Sequence, residues 1–312
     1  MKIGMYWRTK IVFLFIGISI FSCSPEAEKE ASNEVESPYS GHHVVVELTE
    51  IEENGDDFVF VDLRPSDDFL KGHIPGAINI NRSEFQRRDL PYGGMALSAD
   101  SMALLLSVKG ITANDHLVLY DDKGGVEASR LWWILRMYGH EKVCLLNGGM
   151  HVWEEELEVG PSKRLAKPFA FKGETMDNTL VGYEEFESWR LNEGVKVLDC
   201  RSADEFNGEY IKKGAFLAGH VEGSKNICYS NTISSPNSKM KMKSPEELKA
   251  VYSEFFQPED TILVYCQSGV RSAHTLMVLK EILGYKHVYN YDGSWIEWSY
   301  YQSRERGSST QS

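Results

Sequence analysis

The sequence is short of cysteine, of clustered positive charge and of long apolar runs, and each shortage removes a class of protein. Five cysteines stand far apart in 312 residues, at Cys23, Cys144, Cys200, Cys228 and Cys266. That spacing does not describe a small disulfide-stapled fold, and a chain this long can bury a core without staples, so mostly free thiols are expected. No Lys/Arg run of the nucleic-acid type occurs, and the net charge is −13, so nucleic acid is not an expected partner. Against that field, a small anion would have to be drawn in by a local positive site. The longest apolar stretch, Ile11 to Phe21, is about half of the ~20 residues a membrane span needs. What remains is 42% hydrophobic and 25% charged, the composition of a globular chain with length for two ordinary domains.

The first residues form a leader pattern. Lys2, Arg8 and Lys10 precede the apolar run, as the charged n-region of a secretory signal precedes its h-region. Ser22-Cys23 closes the run and resembles a bacterial lipoprotein box. That resemblance implies removal of residues 1–22, lipidation of Cys23 and a membrane-tethered position in the cell envelope, facing the periplasm. An uncleaved anchor and a plain signal peptide are the alternatives. Residues 23–40 are acidic and poor in bulky apolar groups, so they are expected to be a flexible tether.

The body is a repeat. With Asp121 placed over Cys266, an offset of 145 holds without a gap to Trp153 over Trp298, pairing Ala128 with Ala273, Leu131 with Leu276 and Gly148 with Gly293. Upstream, VFVDLR (59–64) matches KVLDCR (196–201), and GHIPGAINI (72–80) matches GHVEGSKNI (219–227) after ten extra residues in the second copy. FVFVDL, HLVLY, KVCLL, TILVY and HVYN read as short buried parallel strands. Glu127–Tyr138 and Ser272–Leu283 read as helices ending at glycines. Ser244-Pro245-Glu246-Glu247 is a capping box that opens a helix to about Phe255. The expected fold class is α/β: two domains, each a parallel sheet with helices on both faces, over residues 41–159 and 179–304. A linker at 160–178 joins them, and a flexible tail follows from 305. Cys144 is expected to be a core thiol.

Cys266-Gln267-Ser268-Gly269-Val270-Arg271-Ser272 joins the strand TILVY to a helix. Parallel sheets place ligands at such crossovers. A tight loop can aim successive N–H groups at an anion, and the helix start adds positive potential. A cysteine there has a depressed pKa and is a thiolate near neutral pH, with Arg271 adding charge. The matching position in the first half is Asp121, which cannot act as a thiolate, so that half is expected to be a non-catalytic wall.

Taken together, the two copies, the D-x-R strand ends, the GHIPGAINI segment and the CQSGVRS loop resemble tandem rhodanese-type sulfurtransferases over about residues 41–304. The resemblance implies that Cys266 attacks the outer sulfur of a small anionic donor, releases sulfite when that donor is thiosulfate, carries a persulfide and passes the sulfur to cyanide or a thiol. The loop from Gln267 to Ser272 (Gln267, Ser268, Gly269, Val270, Arg271, Ser272) would hold the substrate and its charge. Arg201 is carried over as the ligand of the donor anion, and Asp199 as a brace. His73 and His220, one per half, are expected to be hydrogen-bonded structural residues. Neither cofactor nor metal is expected, and a monomer is.

The loop departs from both familiar patterns. Gln267 and Ser268 stand where thiosulfate-preferring members often carry basic residues, whereas Ser268, Gly269 and Val270 match the mercaptopyruvate-preferring continuation. Arg271 tips the expectation toward thiosulfate, with 3-mercaptopyruvate as the runner-up. A cysteine phosphatase or arsenate reductase would need its arginine six residues after the cysteine, but Ser272 is there. A non-enzymatic sulfur-binding or sensing module would tolerate a degenerate loop, and this loop keeps its Cys, Gly and Arg.

Overall fold

The computed structural model describes residues 44–54, 58–172 and 178–309. The leader, Cys23 and the tether lie outside the described residues. In the first half, strands β1 (Val45–Val46), β2 (Phe58–Asp62), β3 (Ile78–Asn79), β4 (His116–Tyr120) and β5 (Val143–Leu146) form a parallel sheet in the order β1-β5-β4-β2-β3. In the second, β6 (Leu180–Val181), β7 (Val195–Asp199), β8 (Lys225–Asn226), β9 (Thr261–Tyr265) and β10 (His287–Tyr291) repeat it as β6-β10-β9-β7-β8. Helices α1 (Leu48–Asn54), α2 (Ser66–Lys71), α3 (Ala99–Val108) and α4 (Val126–Met137) belong to the first sheet. Helices α5 (Tyr183–Trp189), α6 (Ala203–Asn207), α7 (Pro245–Tyr252), α8 (Val270–Met277) and α9 (Ser294–Ser309) belong to the second. The expected α/β architecture of two parallel-sheet domains is what the chain adopts.

The strands read as unbroken apolar runs because both of their faces are covered. In β4, Leu117 and Leu119 face the core shared by the two halves, while Val118 and Tyr120 face a separate outer core. In β9, Ile262 and Val264 face the shared core, and Leu263 and Tyr265 an outer one. Because side chains alternate along a strand, the next position on the inner face is 121 in one half and 266 in the other. Period alone therefore aims Asp121 and Cys266 toward the partner half.

The halves meet through α4 and α8, and their contacts come in reciprocal pairs. Ala96 N–H donates to Asp292 Oδ2 of the second half at 2.9 Å, and Met242 N–H to Asn147 Oδ1 of the first at 2.9 Å. Asn147 and Asp292 are repeat equivalents, so the pattern is that of a pseudo-twofold axis. Ser129 and His274 are also equivalents, and they touch each other, Oγ to Nδ1 at 3.1 Å. The other nitrogen of His274 meets Thr232 Oγ1 at 2.8 Å.

The Ser244 box forms as expected, with Ser244 Oγ accepting from Glu247 N–H, but α7 ends at Tyr252 rather than near Phe255. Helix α8 starts two residues earlier than expected, at Val270, and passes at Val278 into a π-helical turn through Ile282. The 160–178 segment is more than a strap. Lys167 N–H and Phe169 N–H donate to Ser107, and Phe169 is buried against His140 and Phe171. Helix α9 runs to Ser309, past the expected boundary at 304, so the start of the expected tail is helical. Cys144 is buried in the core, and burial pushes its thiol up to about 12. Cys144, Cys200, Cys228 and Cys266 are all free.

Burial pulls the pKa of His274 down from 6.5 to about 4, so it sits neutral on the pseudo-axis. Below pH 6.5 the unfolded chain takes up a proton that the folded chain refuses. This contribution is fully present above that pH and is lost as pH falls toward 4, by on the order of 3 kcal/mol. Thermal melts between pH 7.5 and 5 should show Tm falling with pH, with a smaller fall in His274→Asn. An identical pH slope in the variant would refute the assignment.

Candidate active site

The first half shows what the strand-to-helix loop is built to do. Asp121 Oδ1 accepts from the N–H groups of Lys123 and Gly125, both at 2.8 Å, and Oδ2 from those of Glu127 at 2.7 Å and Ala128 at 3.1 Å. Four backbone donors thus close on one carboxylate, an anion nest at a helix start. Their repeat equivalents are Ser268, Val270, Ser272 and Ala273. In the second half Cys266 occupies the place of Asp121, with 1% of its surface exposed.

Burial pushes the Cys266 thiol up, but the opposing influences win and its pKa falls to about 7. The largest of these is the Arg271 charge, followed by the Ser272 hydroxyl, 3.6 Å from Sγ, and the N–H groups of Ser268 and Ser272. Two of the four amide positions that hold a carboxylate in the first half therefore hold a thiolate in the second. Arg271 is fixed by a two-pronged ion pair to Glu205, at 2.6 and 2.9 Å. Burial would raise Glu205, yet Arg271 brings it down to about 2. Arg271 itself is held firmly protonated by Glu205 and Cys266, against its own desolvation.

Not every loop amide is free for the sulfur. Ser294 Oγ accepts from Cys266 N–H at 3.1 Å and Gly269 N–H at 3.0 Å, and donates to Tyr291 O at 2.8 Å. Ser294 holds φ = +51°, a left-handed conformation costly for a residue with a Cβ. Its repeat equivalent is Gly149, at φ = +53°. Sequence reasoning passed over Ser294. The usable signal was a serine standing where the other copy has glycine, next to an aligned Gly148/Gly293 pair. Gly269 caps α8 at φ = +74° and could not carry a side chain, since a Cβ there would sit 2.7 Å from Arg130 and Asp292. The Gln267 amide is buried beside Cys266, and neither its Nε2 nor its Oε1 has a hydrogen-bond partner. No group of three or more His, Cys, Asp or Glu among the described residues could hold a metal.

The Rhodanese-like domain family matches residues 45–156 and again 183–300. A sulfur carrier protein of Thermus thermophilus is 34% identical over 286 residues, covering 83% of this chain and 95% of its own. This chain belongs to the rhodanese-like family. A thiosulfate sulfurtransferase of Corynebacterium glutamicum is 33% identical over 240 residues, 73% of this chain and 77% of that one. Among solved structures, the Tum1 protein of Saccharomyces cerevisiae shares the fold, with a TM-score of 0.75 at 22% identity, over 85% of this chain and 97% of its own.

Within this rhodanese-like frame Arg201 is taken up by contacts of its own. It is 2% exposed and locked onto Asp199, with Nη2 at 2.6 Å from Oδ2, and it also donates to Gly219 O at 2.8 Å. Its guanidinium stacks on Trp295 and Tyr265. Arg64 in the first half repeats this, bonded to Asp62 at 2.6 Å and to Gly72 O at 2.7 Å. A contact set that recurs in the half where Asp121 replaces the loop cysteine serves the fold. These contacts, with Asp199 as its ion-pair partner, favour a bracing role for Arg201 over the donor-ligand role that the resemblance implied. His73 and His220 form another matched pair, each stacked on a phenylalanine and bonded through Nδ1 to that residue's carbonyl.

Two outcomes follow. In wild type the rate of Cys266 alkylation by iodoacetamide, followed at its own peptide, should rise with pH through an inflection near 7, because the thiolate is the nucleophile. Arg271→Met should move that inflection upward toward the ordinary thiol value of about 8.5; an unmoved inflection would remove Arg271 as its cause. Arg201→Ala should strip a buried carboxylate of its partner and cost about 3–5 kcal/mol in denaturant unfolding. Unchanged stability with weakened donor saturation would restore Arg201 as a ligand.

Proposed function

We propose that this sulfurtransferase takes its sulfur from thiosulfate and holds it as a persulfide on Cys266. The observation that carries the reading is the Cys266 thiol itself, brought to about 7 beside Arg271 and the amides of Ser268 and Ser272. The thiolate attacks the outer sulfur of thiosulfate. As the new S–S bond forms, the old one breaks and sulfite leaves with its electron pair. The terminal sulfur of the persulfide then occupies the region that the second carboxylate oxygen fills in the first half, where amides stabilise its negative charge. Attack by cyanide or a thiol on that sulfur returns the Cys266 thiolate. The relatives that bear the name thiosulfate sulfurtransferase support thiosulfate as donor. The Ser268-Gly269-Val270 stretch supports 3-mercaptopyruvate as the second candidate. The same proposal includes a lipid anchor at Cys23 and a position in the cell envelope, supported by the charged n-region, the short apolar run and Ser22-Cys23.

Incubation with thiosulfate should add the mass of one sulfur atom at Cys266, and cyanide should remove it as thiocyanate. Cys266→Ala should abolish both. Thiocyanate formation by that variant would sink the mechanism, and faster loading from 3-mercaptopyruvate in a parallel assay would reassign the donor.

A further inference from the structure

The non-catalytic half reaches into the sulfur loop. Gly94 passes so close that a Cβ there would lie 2.4 Å from the Cβ of Ser268. Arg130 donates to Gly269 O at 3.2 Å and to Gly94 O at 3.0 Å, while paired to Asp292 at 2.5 Å. The third group is Arg82, whose Nη2 donates to Ser268 Oγ at 2.6 Å.

Arg82 differs from the other arginines around the loop. Arg201, Arg271 and Arg130 are each tied to a carboxylate at 2.6 Å or closer, and each is mostly or wholly buried. The side chain of Arg82 is 35% exposed, its short contact is to a neutral hydroxyl, and its ion pair with Glu127 spans 3.8 Å. Burial pushes the Glu127 carboxyl up, with the Arg82 charge opposing it. The base of Arg82 is rigid, because Asn81 and Glu84 form a reciprocal capping box around it. The repeat supplies a control: the equivalent of Arg82 is Tyr229, whose phenol burial raises against the opposing charge of Arg271. The position that presents a cation to Ser268 in one half thus carries an uncharged ring in the other.

We propose that Arg82 binds the anionic end of the sulfur donor while Cys266 takes the sulfur, so that the non-catalytic half selects donors whose oxyanion charge lies next to the transferable sulfur, as in thiosulfate and thiosulfonates. Ser268 spans the two points, its N–H toward the Cys266 sulfur and its Oγ on Arg82. That short reach suits an oxyanion one bond from the sulfur better than a distant carboxylate. Lys212, in the segment inserted into the second copy, adds to the field: burial and then Arg271 lower it, and the charges of Cys266 and Arg82 also reach it.

The inference rests on donor sulfur arriving at Cys266, but its test need not. In the full chain, Cys266 alkylation by anionic iodoacetate is compared with that by neutral iodoacetamide, alongside KM for thiosulfate. Arg82→Gln should lower the iodoacetate rate about tenfold, the equivalent of one charge contact near 1.4 kcal/mol, and leave the iodoacetamide rate within about twofold. KM should rise by a similar factor, and Arg82→Lys should keep most of the preference. Equal loss with both reagents means a structural role and overturns the proposal, as does an unchanged ratio. If wild type loads no sulfur from thiosulfate, the donor reading fails while the alkylation ratio still decides the role of Arg82.

Discussion

A buried sulfur can stay ionised at neutral pH only if something nearby replaces the water it has lost. Here backbone N–H groups at a helix start, together with one arginine, do so. In the first half the same peptide geometry closes on Asp121 with four hydrogen bonds. The cradle is therefore a property of the fold, formed whichever anion the chain supplies. It depends on β4 and β9 ending one residue short of an inner-face position, on a left-handed glycine at the turn, and on a helix that starts at once. Most of the remaining structure holds those three features in place.

Duplication has divided the labour between the halves. In the copy with Asp121 the cradle is filled by a carboxylate that takes all four of its hydrogen bonds. Its surface has instead become part of the other site: Gly94 gives space, Arg130 pins the carbonyl of Gly269, and Arg82 meets Ser268. The pseudo-axis makes this inevitable in outline, since Asp121 and Cys266 both project toward the interface. The neutral His274–Ser129 contact on the axis ties α4 to α8 without placing a charge in the shared core.

The repeat, the sheet and Cys266 were all legible in the sequence, because strand period, helix stops and a 145-residue offset are local or self-referential signals. The partners of the arginines were not. Arg201 and Arg271 each follow a strand by a few residues, and only tertiary packing decides that Asp199 takes one and Glu205 the other. The repeat could have warned that Arg201 has a twin in Arg64, and a twin in the half that carries Asp121 in place of the loop cysteine points to a structural task. Ser294 was hidden because its function lies in a left-handed backbone that sequence alone does not display. Arg82 was hidden by distance: 186 residues separate it from Ser268, and no motif links them.

The Arg271–Glu205 pair sets the chemical temper of the site. A bare arginine beside Cys266 would drive the thiol lower and make it a weaker nucleophile. With Glu205 holding both prongs of the guanidinium, part of that field is spent, and burial pushes the other way. The thiol comes to rest near 7, around ambient pH, where the product of thiolate fraction and intrinsic nucleophilicity is greatest for attack on a sulfur–sulfur bond. The same balance serves the return step, since an anion stabilised enough to form but not trapped is also a good leaving group when an acceptor removes the outer sulfur. Desolvation, usually the enemy of a buried thiolate, here keeps it reactive, and the amides keep it charged.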